Sequence, residues 1–178
     1  MLPLASCLLP LASVVFQPLF PGVTPPARAT AASAGYDLRA WLTDRPIDVW
    51  SGNTSSPRSS REVSGERMIS LQPGERAVIP LGFRATVPSG FEAQVRARSG
   101  TALKLGLVLA NGPGTIDPDY IGEWGVLALN ASTTPITIRH GDRVAQLVFS
   151  RFEVLEFTEG EVVQTTERTG GFGSTGVK

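Results

Sequence analysis

Arg98, Ser99 and Gly100 stand together ahead of a short helical stretch, a combination suited to holding an anion. Free amides at a helix start and its positive end favour phosphate, and an arginine adds charge-assisted bonds. A surface arginine beside an ordinary N-cap serine is the plainer alternative. A second group lies in the stretch 111–123, read as a hairpin, where Asp117 and Tyr120 stand three apart across a turn. Gly112 and Gly114 leave backbone groups open to close approach, and both side chains could face one cavity. A plain β-turn, with Asp117 and Asp119 as turn formers and Tyr120 as a packed aromatic, accounts for the same residues. The third group is the glycine-rich end, with Arg168, Gly170, Gly171, Phe172, Gly173, Ser174, Thr175 and Gly176. Successive glycine amides form anion nests, hydroxyls add donors, and Phe172 offers a face to a flat ligand. A loose tail is the alternative.

Other chemistry is thinly supplied. A single cysteine, Cys7, excludes an internal disulfide framework and a cysteine-based zinc site. A single histidine, His140, leaves most metal clusters and Ser-His-Asp hydrolysis poorly supported; it reads as an exposed turn residue. Any reaction must rest on carboxylates, arginines and backbone amides. Lys plus Arg and Asp plus Glu each number 16, so the net charge is zero. A non-specific nucleic-acid or membrane-surface binder would carry a basic excess.

The elements that must position these residues have a period of two. At 178 residues the chain has the length of one domain. Phe91, Ala93, Val95 and Ala97 alternate with Glu92, Gln94, Arg96 and Arg98, as in a half-buried strand. Ile136 and Ile138 alternate in the same way, residues 76–87 and 144–149 read as extended, and 152–157 adds one more strand. Turn chemistry at 72–75, 87–90, 111–114 and 140–142 separates these runs. Many short strands with regular turns indicate an all-β sandwich or barrel. One short helix is expected over 101–104, capped by Ser99 and stopped by Gly106.

Residues 1–13 read as a loose extension and Val14, Val15 and Phe16 as a first strand. Pro3, Pro10 and Pro18 interrupt the apolar N-terminus, whose first basic residue is Arg28, so an intracellular location is expected. Residues 45–65, rich in Ser, Pro, Gly and Arg, read as a disordered surface excursion from a core spanning 14–160. Residues 161–178 read as an arm.

Together the motifs resemble one family. The trimeric dUTPases carry five ordered motifs, and this chain matches all five. They are Ala34-Gly35-Tyr36-Asp37-Leu38, Arg98-Ser99-Gly100, the stretch 111–123, Gly141-Asp142-Arg143-Val144-Ala145-Gln146-Leu147, and residues 170–176. The resemblance covers about residues 14–176 and implies a jelly-roll-like β core and a homotrimer with shared active sites. It implies hydrolysis of dUTP to dUMP and pyrophosphate with Mg2+, which keeps uracil out of DNA and supplies dUMP for thymidylate synthesis.

By that resemblance, Asn111, Gly114, Thr115 and Ile116 would hold uracil, largely through backbone groups. Tyr120 would pack against deoxyribose, and Asp117 would be the general base. Arg98, Ser99, Gly100 and Gln146 would hold the phosphates, and Asp37 would touch magnesium through water. The arm would close over a neighbouring subunit's site. Phe172 would stack on uracil, while Arg168, Gly173, Ser174 and Thr175 reach the distal phosphates. Asp37 and Gln146 have structural alternatives, a turn cap and a solvent-facing strand residue. Asp142 and Arg143 read as a turn and a local ion pair.

Three departures stand out. Ala97 replaces a usual proline, Ile121 replaces a usual basic residue, and only Thr169, Gly170 and Gly171 separate Arg168 from Phe172, one fewer than in the family. Two competing readings are a dCTP deaminase, which would need a catalytic glutamate, and a non-catalytic interaction module descended from the same fold.

Overall fold

The computed structural model describes residues 12–167. In chain order the first strands are β1 (Phe16–Pro18), β2 (Ala27–Arg28), β3 (Tyr36–Arg39), β4 (Ile47–Ser51), β5 (Thr54–Arg58) and β6 (Arg61–Val63). Next come β7 (Glu66–Leu71), β8 (Arg76–Pro80), β9 (Phe83–Ala85) and β10 (Phe91–Arg96). Helix α1 (Ser99–Leu105) precedes β11 (Leu107–Leu109), β12 (Gly114–Ile116), β13 (Gly125–Asn130), β14 (Ile136–Arg139) and β15 (Arg143–Arg151). Two five-stranded sheets, ordered β12-β10-β15-β3-β2 and β11-β13-β8-β4-β5, make the main layers. A three-stranded sheet β14-β7-β6 and the pair β1-β9 complete an all-β, jelly-roll-like sandwich rather than a closed barrel.

Alternation explains the layers. In β13, Val126 and Ala128 are fully buried while Leu127 between them is not, and in β8 Ala77 and Ile79 are buried around exposed Val78. Leu38, Ile69, Leu71, Ile138 and Trp124 join them in a single apolar core fed by the three larger sheets. Burying a side chain of this size contributes about 1.5–3 kcal/mol, so these few residues carry much of the driving force.

The stretch 45–65 corrects the sequence expectation, because it is folded. β4 and β5 pair antiparallel from Ile47 opposite Arg58 to Ser51 opposite Thr54, turning at Gly52 with φ 56°. β6 and β7 turn through Ser64 and Gly65, both at positive φ, as a two-residue type I′ hairpin requires. The polar composition masked a two-residue period, for Ile47 and Val49 are buried while Asp48 and Trp50 face out. Arg58 then reaches inward to Glu75, with Nη–Oε distances of 2.7 and 2.8 Å.

Three smaller expectations also change. The first strand begins at Phe16, and Val14 and Val15 lie exposed ahead of it. β15 ends at Arg151, and 152–157 has no regular structure: Val154, Leu155 and Phe157 are exposed and pair with no strand among the described residues. Apolar alternation makes a strand only where an edge is available to pair. Finally, Arg98 is the N-cap of α1 and Ser99 its first helical residue, with no side-chain cap bond. Gly106 ends the helix as expected, at φ 71°. Among the described residues no helix is long and apolar enough to cross a membrane.

Candidate active site

The site residues fall into two groups. The first lines a cavity of about 310 Å³ that includes Asn111, Gly114, Thr115, Ile116, Asp117 and Tyr120. β12 brings them there by pairing with β10, Gly114 opposite Val95 and Ile116 opposite Ala93. At Gly114 a Cβ would lie close to the Asn111 amide, 3.1 Å from its Nδ2, and at ordinary contact, 3.5 Å, from Val95 Cβ. A cis peptide joins Gly112 and Pro113. The segment is not a paired hairpin, since β11 joins β13 in one sheet while β12 joins β10 in the other.

Past β12 the chain turns, with the Tyr120 amide donating to the Asp117 carbonyl at 3.2 Å. The Tyr120 hydroxyl donates to the Glu123 carbonyl at 3.0 Å. Gly122 makes room for that ring, because a Cβ there would meet the Tyr120 oxygen at 2.5 Å. Asp117 is exposed, and its carboxylate makes no ion pair among the described residues. Trp124, 1% exposed and packed on Phe83 at 5.4 Å, forms part of the wall.

The second group lines a separate cavity of about 410 Å³ with Asp37, Arg96, Arg98, Ser99, Gly100 and Gln146. Strand register places it. Arg96 stands opposite Gln146 across β10 and β15, and Gln146 opposite Asp37 across β15 and β3, so the three share one face. Gln146 is held by its Nε2 donating to the Ala97 carbonyl at 2.9 Å. Gly35 leaves space for it, since a Cβ there would sit 2.5 Å from Gln146 Oε1. Asp37 lies between two guanidinium groups, 3.2 Å from Arg98 Nε and 3.2 Å from Arg143 Nη1. Ser99 and Gly100 are exposed at the start of α1, beside these charges.

No described residue lines both cavities. Val95 faces the first and Arg96 the second, and neighbours on a strand point to opposite faces. Within one chain the two groups of residues are therefore not brought together.

The local ion pair expected between Asp142 and Arg143 is replaced by other contacts. The Asp142 carboxylate accepts the Arg139 amide at 2.8 Å, closing the turn, while Arg143 serves Asp37. His140 is an exposed turn residue as read, its Nδ1 at hydrogen-bonding distance from the main chain of Leu42 and its ring 4.4 Å from Trp41. Arg168, Phe172, Gly173, Ser174 and Thr175 lie outside the described residues. Sequence reasoning missed Val78 and Trp124 at the first cavity, and gave no individual role to Glu123 there or to Gly35 and Arg96 at the second. Gly35, Glu123 and Arg96 sit inside or beside the motifs; nothing in the spacing signalled Val78.

A family model described as dUTPase matches residues 58–176. The chain belongs to the dUTPase family. A "Deoxyuridine 5'-triphosphate nucleotidohydrolase" of Caulobacter vibrioides (strain NA1000 / CB15N) is 42% identical over 153 residues, covering 85% of each chain. Among solved structures, a mutant dUTPase of Staphylococcus bacteriophage 80alpha with dUpNHpp superimposes with a TM-score of 0.71. It is 23% identical, covering 93% of this chain and 99% of that one. A mutant dUTPase from phage phi11 of S. aureus, described with a structural Mg(II) ion, gives 0.65 at 21% identity, covering 86% of this chain and 100% of its own. At such identities the two phage proteins establish the fold, while the bacterial relative and the family model establish membership.

Proposed function

We propose that the protein is a dUTP diphosphatase, hydrolysing dUTP to dUMP and pyrophosphate. The observation that carries this reading is the first cavity, which sets an unpaired carboxylate, Asp117, beside an aromatic wall, Tyr120, and an amide, Asn111. Asn111 and backbone groups at Gly114, Thr115 and Ile116 would hold uracil. A cytosine amino group would face donors and leave buried groups unpaired, which is costly. Tyr120 would lie against deoxyribose and leave no room for a 2′-hydroxyl. Asp117 would accept a proton from water as its oxygen attacks the α-phosphorus, while the bond to the bridging oxygen breaks and pyrophosphate departs.

Arg98, Ser99, Gly100 and Gln146 would hold the phosphates and the charge that develops on them. No cluster of three metal-ligating side chains exists among the described residues. Asp37 alone in the phosphate cavity, flanked by Arg98 and Arg143, suits contact through water with magnesium that arrives on the triphosphate. Bound there, magnesium would offset phosphate charge and orient the chain. In the arm, Phe172 would cover uracil and Arg168, Gly173, Ser174 and Thr175 would reach the distal phosphates, excluding water.

The separation of the two cavities supports a homotrimer in which one subunit supplies the base side and another the phosphate side. The deaminase reading loses support at Glu123. That glutamate on the base cavity is already held by Arg45 at 2.9 and 3.1 Å and by the Gly82 amide at 3.1 Å. The test is pyrophosphate release with magnesium from dUTP, UTP, dTTP and dCTP. Release from dUTP alone is expected; no release from folded protein would favour the interaction-module reading instead.

A further inference from the structure

We propose that Arg96 is a further phosphate-binding residue, held at the phosphate cavity by a relay through Gln94 and Glu92, with its charge kept for the ligand. The inference rests on the assignment of the second cavity to the phosphates. The arginine already assigned there is partly spent, since Arg98 Nε lies 3.2 Å from an oxygen of Asp37. Arg96 lines the same cavity and is exposed. Among the described residues it pairs with no carboxylate.

Its orientation is fixed all the same. Glu92, Gln94 and Arg96 alternate along β10 and so project from one face. Arg96 donates to Gln94 Oε1 through Nη2 and, at 3.0 Å, through Nε, while Gln94 Nε2 donates to Glu92 Oε1 at 2.6 Å. A guanidinium only donates and a carboxylate only accepts, so the amide between them has one usable orientation. Same-face neighbours on a strand stand about 7 Å apart. Glu92, two such steps from Arg96, braces the relay without neutralising the guanidinium. The Arg96 Nη1 donors have no partner among the described residues and can serve a ligand.

Register sets this group along the cavity. Arg96 stands opposite Gln146 and Gln94 opposite Val148, and Gln146 and Val148 both line the cavity. Drawn back to Gln94, the guanidinium stands towards the Val148 end. A triphosphate is a row of charged groups, and two guanidiniums set along one cavity match a row where a single one matches a point. Because the relay holds Arg96 before substrate arrives, its loss should show mainly in KM.

The experiment compares wild type, Arg96→Ala, Arg96→Lys, Gln94→Ala and Arg84→Ala. The last removes an exposed arginine from the separate β1-β9 pair and sets the size of a general charge effect. Calorimetry measures affinity for dUpNHpp with magnesium, competition measures affinity for deoxyuridine, and turnover of dUTP gives kcat and KM. Arg96→Ala is expected to weaken dUpNHpp about tenfold and to raise KM by a similar factor, with deoxyuridine affinity unchanged. Gln94→Ala, which keeps the charge but releases it, should cost about threefold. Lysine at 96, a point charge without the fork, should fall between wild type and alanine. A folded Arg96→Ala variant that loses no more dUpNHpp affinity than Arg84→Ala would overturn the proposal. So would an equal loss for deoxyuridine, which carries no phosphate. A wild type that binds dUpNHpp yet hydrolyses nothing would sink the hydrolase reading alone, and the binding comparison would still decide the role of Arg96.

Discussion

The two halves of the site are built in contrasting ways. The base side comes from one short stretch, 111–125, shaped by packing on Trp124 and Val95 and by glycines that admit Asn111 and Tyr120. Among the described residues that line the cavity, Asp117 is the charge without an ion pair. The phosphate side is assembled from residues near 37, 98 and 146, brought into a row by strand register and held by ion pairs around Asp37. On the proposed reading, a locally encoded cavity with one unpaired carboxylate would recognise a base by shape and hydrogen bonds. A charged face encoded by register would meet a group that any nucleoside triphosphate carries. If those roles hold, selectivity and charge handling reside in separate parts of the fold, which substitutions can disturb one at a time.

The contrast breaks down if the two halves respond alike. Asp117→Asn removes the proposed general base and preserves the shape of the base cavity. We expect kcat on dUTP to fall about 10²–10⁴-fold with KM little changed. Arg98→Ala removes charge from the phosphate side and also frees one oxygen of Asp37. Its kcat/KM should fall about 10²–10³-fold for dUTP and UTP equally, leaving the preference between them intact. If Arg98→Ala altered base or sugar preference, the halves would not be independent.

A sharper form mixes the two inactive variants. If neighbouring subunits share each site, randomly mixed trimers of Asp117→Asn and Arg98→Ala regain a complete site wherever each contributes its intact half. Recovered turnover should approach about one quarter of wild type, the chance of that pairing in an equal mixture. Co-refolding followed by a dUTP assay measures it. Activity no greater than the sum of the separate variants would mean that both halves come from one chain.

This division also sets what could be read in the sequence. Asp117, Tyr120 and Gly114 were legible because they lie in one stretch and meet one cavity whatever the rest does. The strand alternation of β10 and β14 was legible for the same reason, being a local consequence of which side chains face the core. The row of Arg96, Gln146 and Asp37 was not, since it depends on which residues of distant strands stand opposite one another, and periodicity is silent on partners. Arg143 was assigned to its chain neighbour Asp142, whereas register carries it to Asp37. The 45–65 stretch misled in the opposite direction. Its turn-forming and charged residues suggested disorder, while the arginine at 58 was a structural one whose partner, Glu75, lies 17 positions away. The same distance hid Arg45, whose partner Glu123 is 78 positions on.

The smallest effect on activity is expected where neither cavity is touched. Glu75 is 7% exposed and accepts Arg58 at 2.7 and 2.8 Å and the Gln72 amide at 2.7 Å, while Arg58 also donates to the Ser70 carbonyl. The hydrogen bond from Arg58 is the main cause that holds the Glu75 carboxyl below its usual range, against a burial that pushes it up. Arg58→Ala strands a buried carboxylate. A fully buried pair broken this way costs about 3–5 kcal/mol, and with a third of the Arg58 side chain exposed we expect about 2 kcal/mol. Because the folded carboxyl titrates lower than the unfolded one, its stabilisation is complete above the unfolded value and fades as pH falls through the folded value. Chemical denaturation should therefore give a gap between wild type and Arg58→Ala that is full at about pH 6 and shrinks below about pH 4. Deoxyribose preference and kcat should stay at wild-type values at neutral pH. A variant that lost the preference along with stability would imply that the base cavity relies on the rigidity of the whole sandwich, and its shape could not then be treated as a local property of residues 111–125.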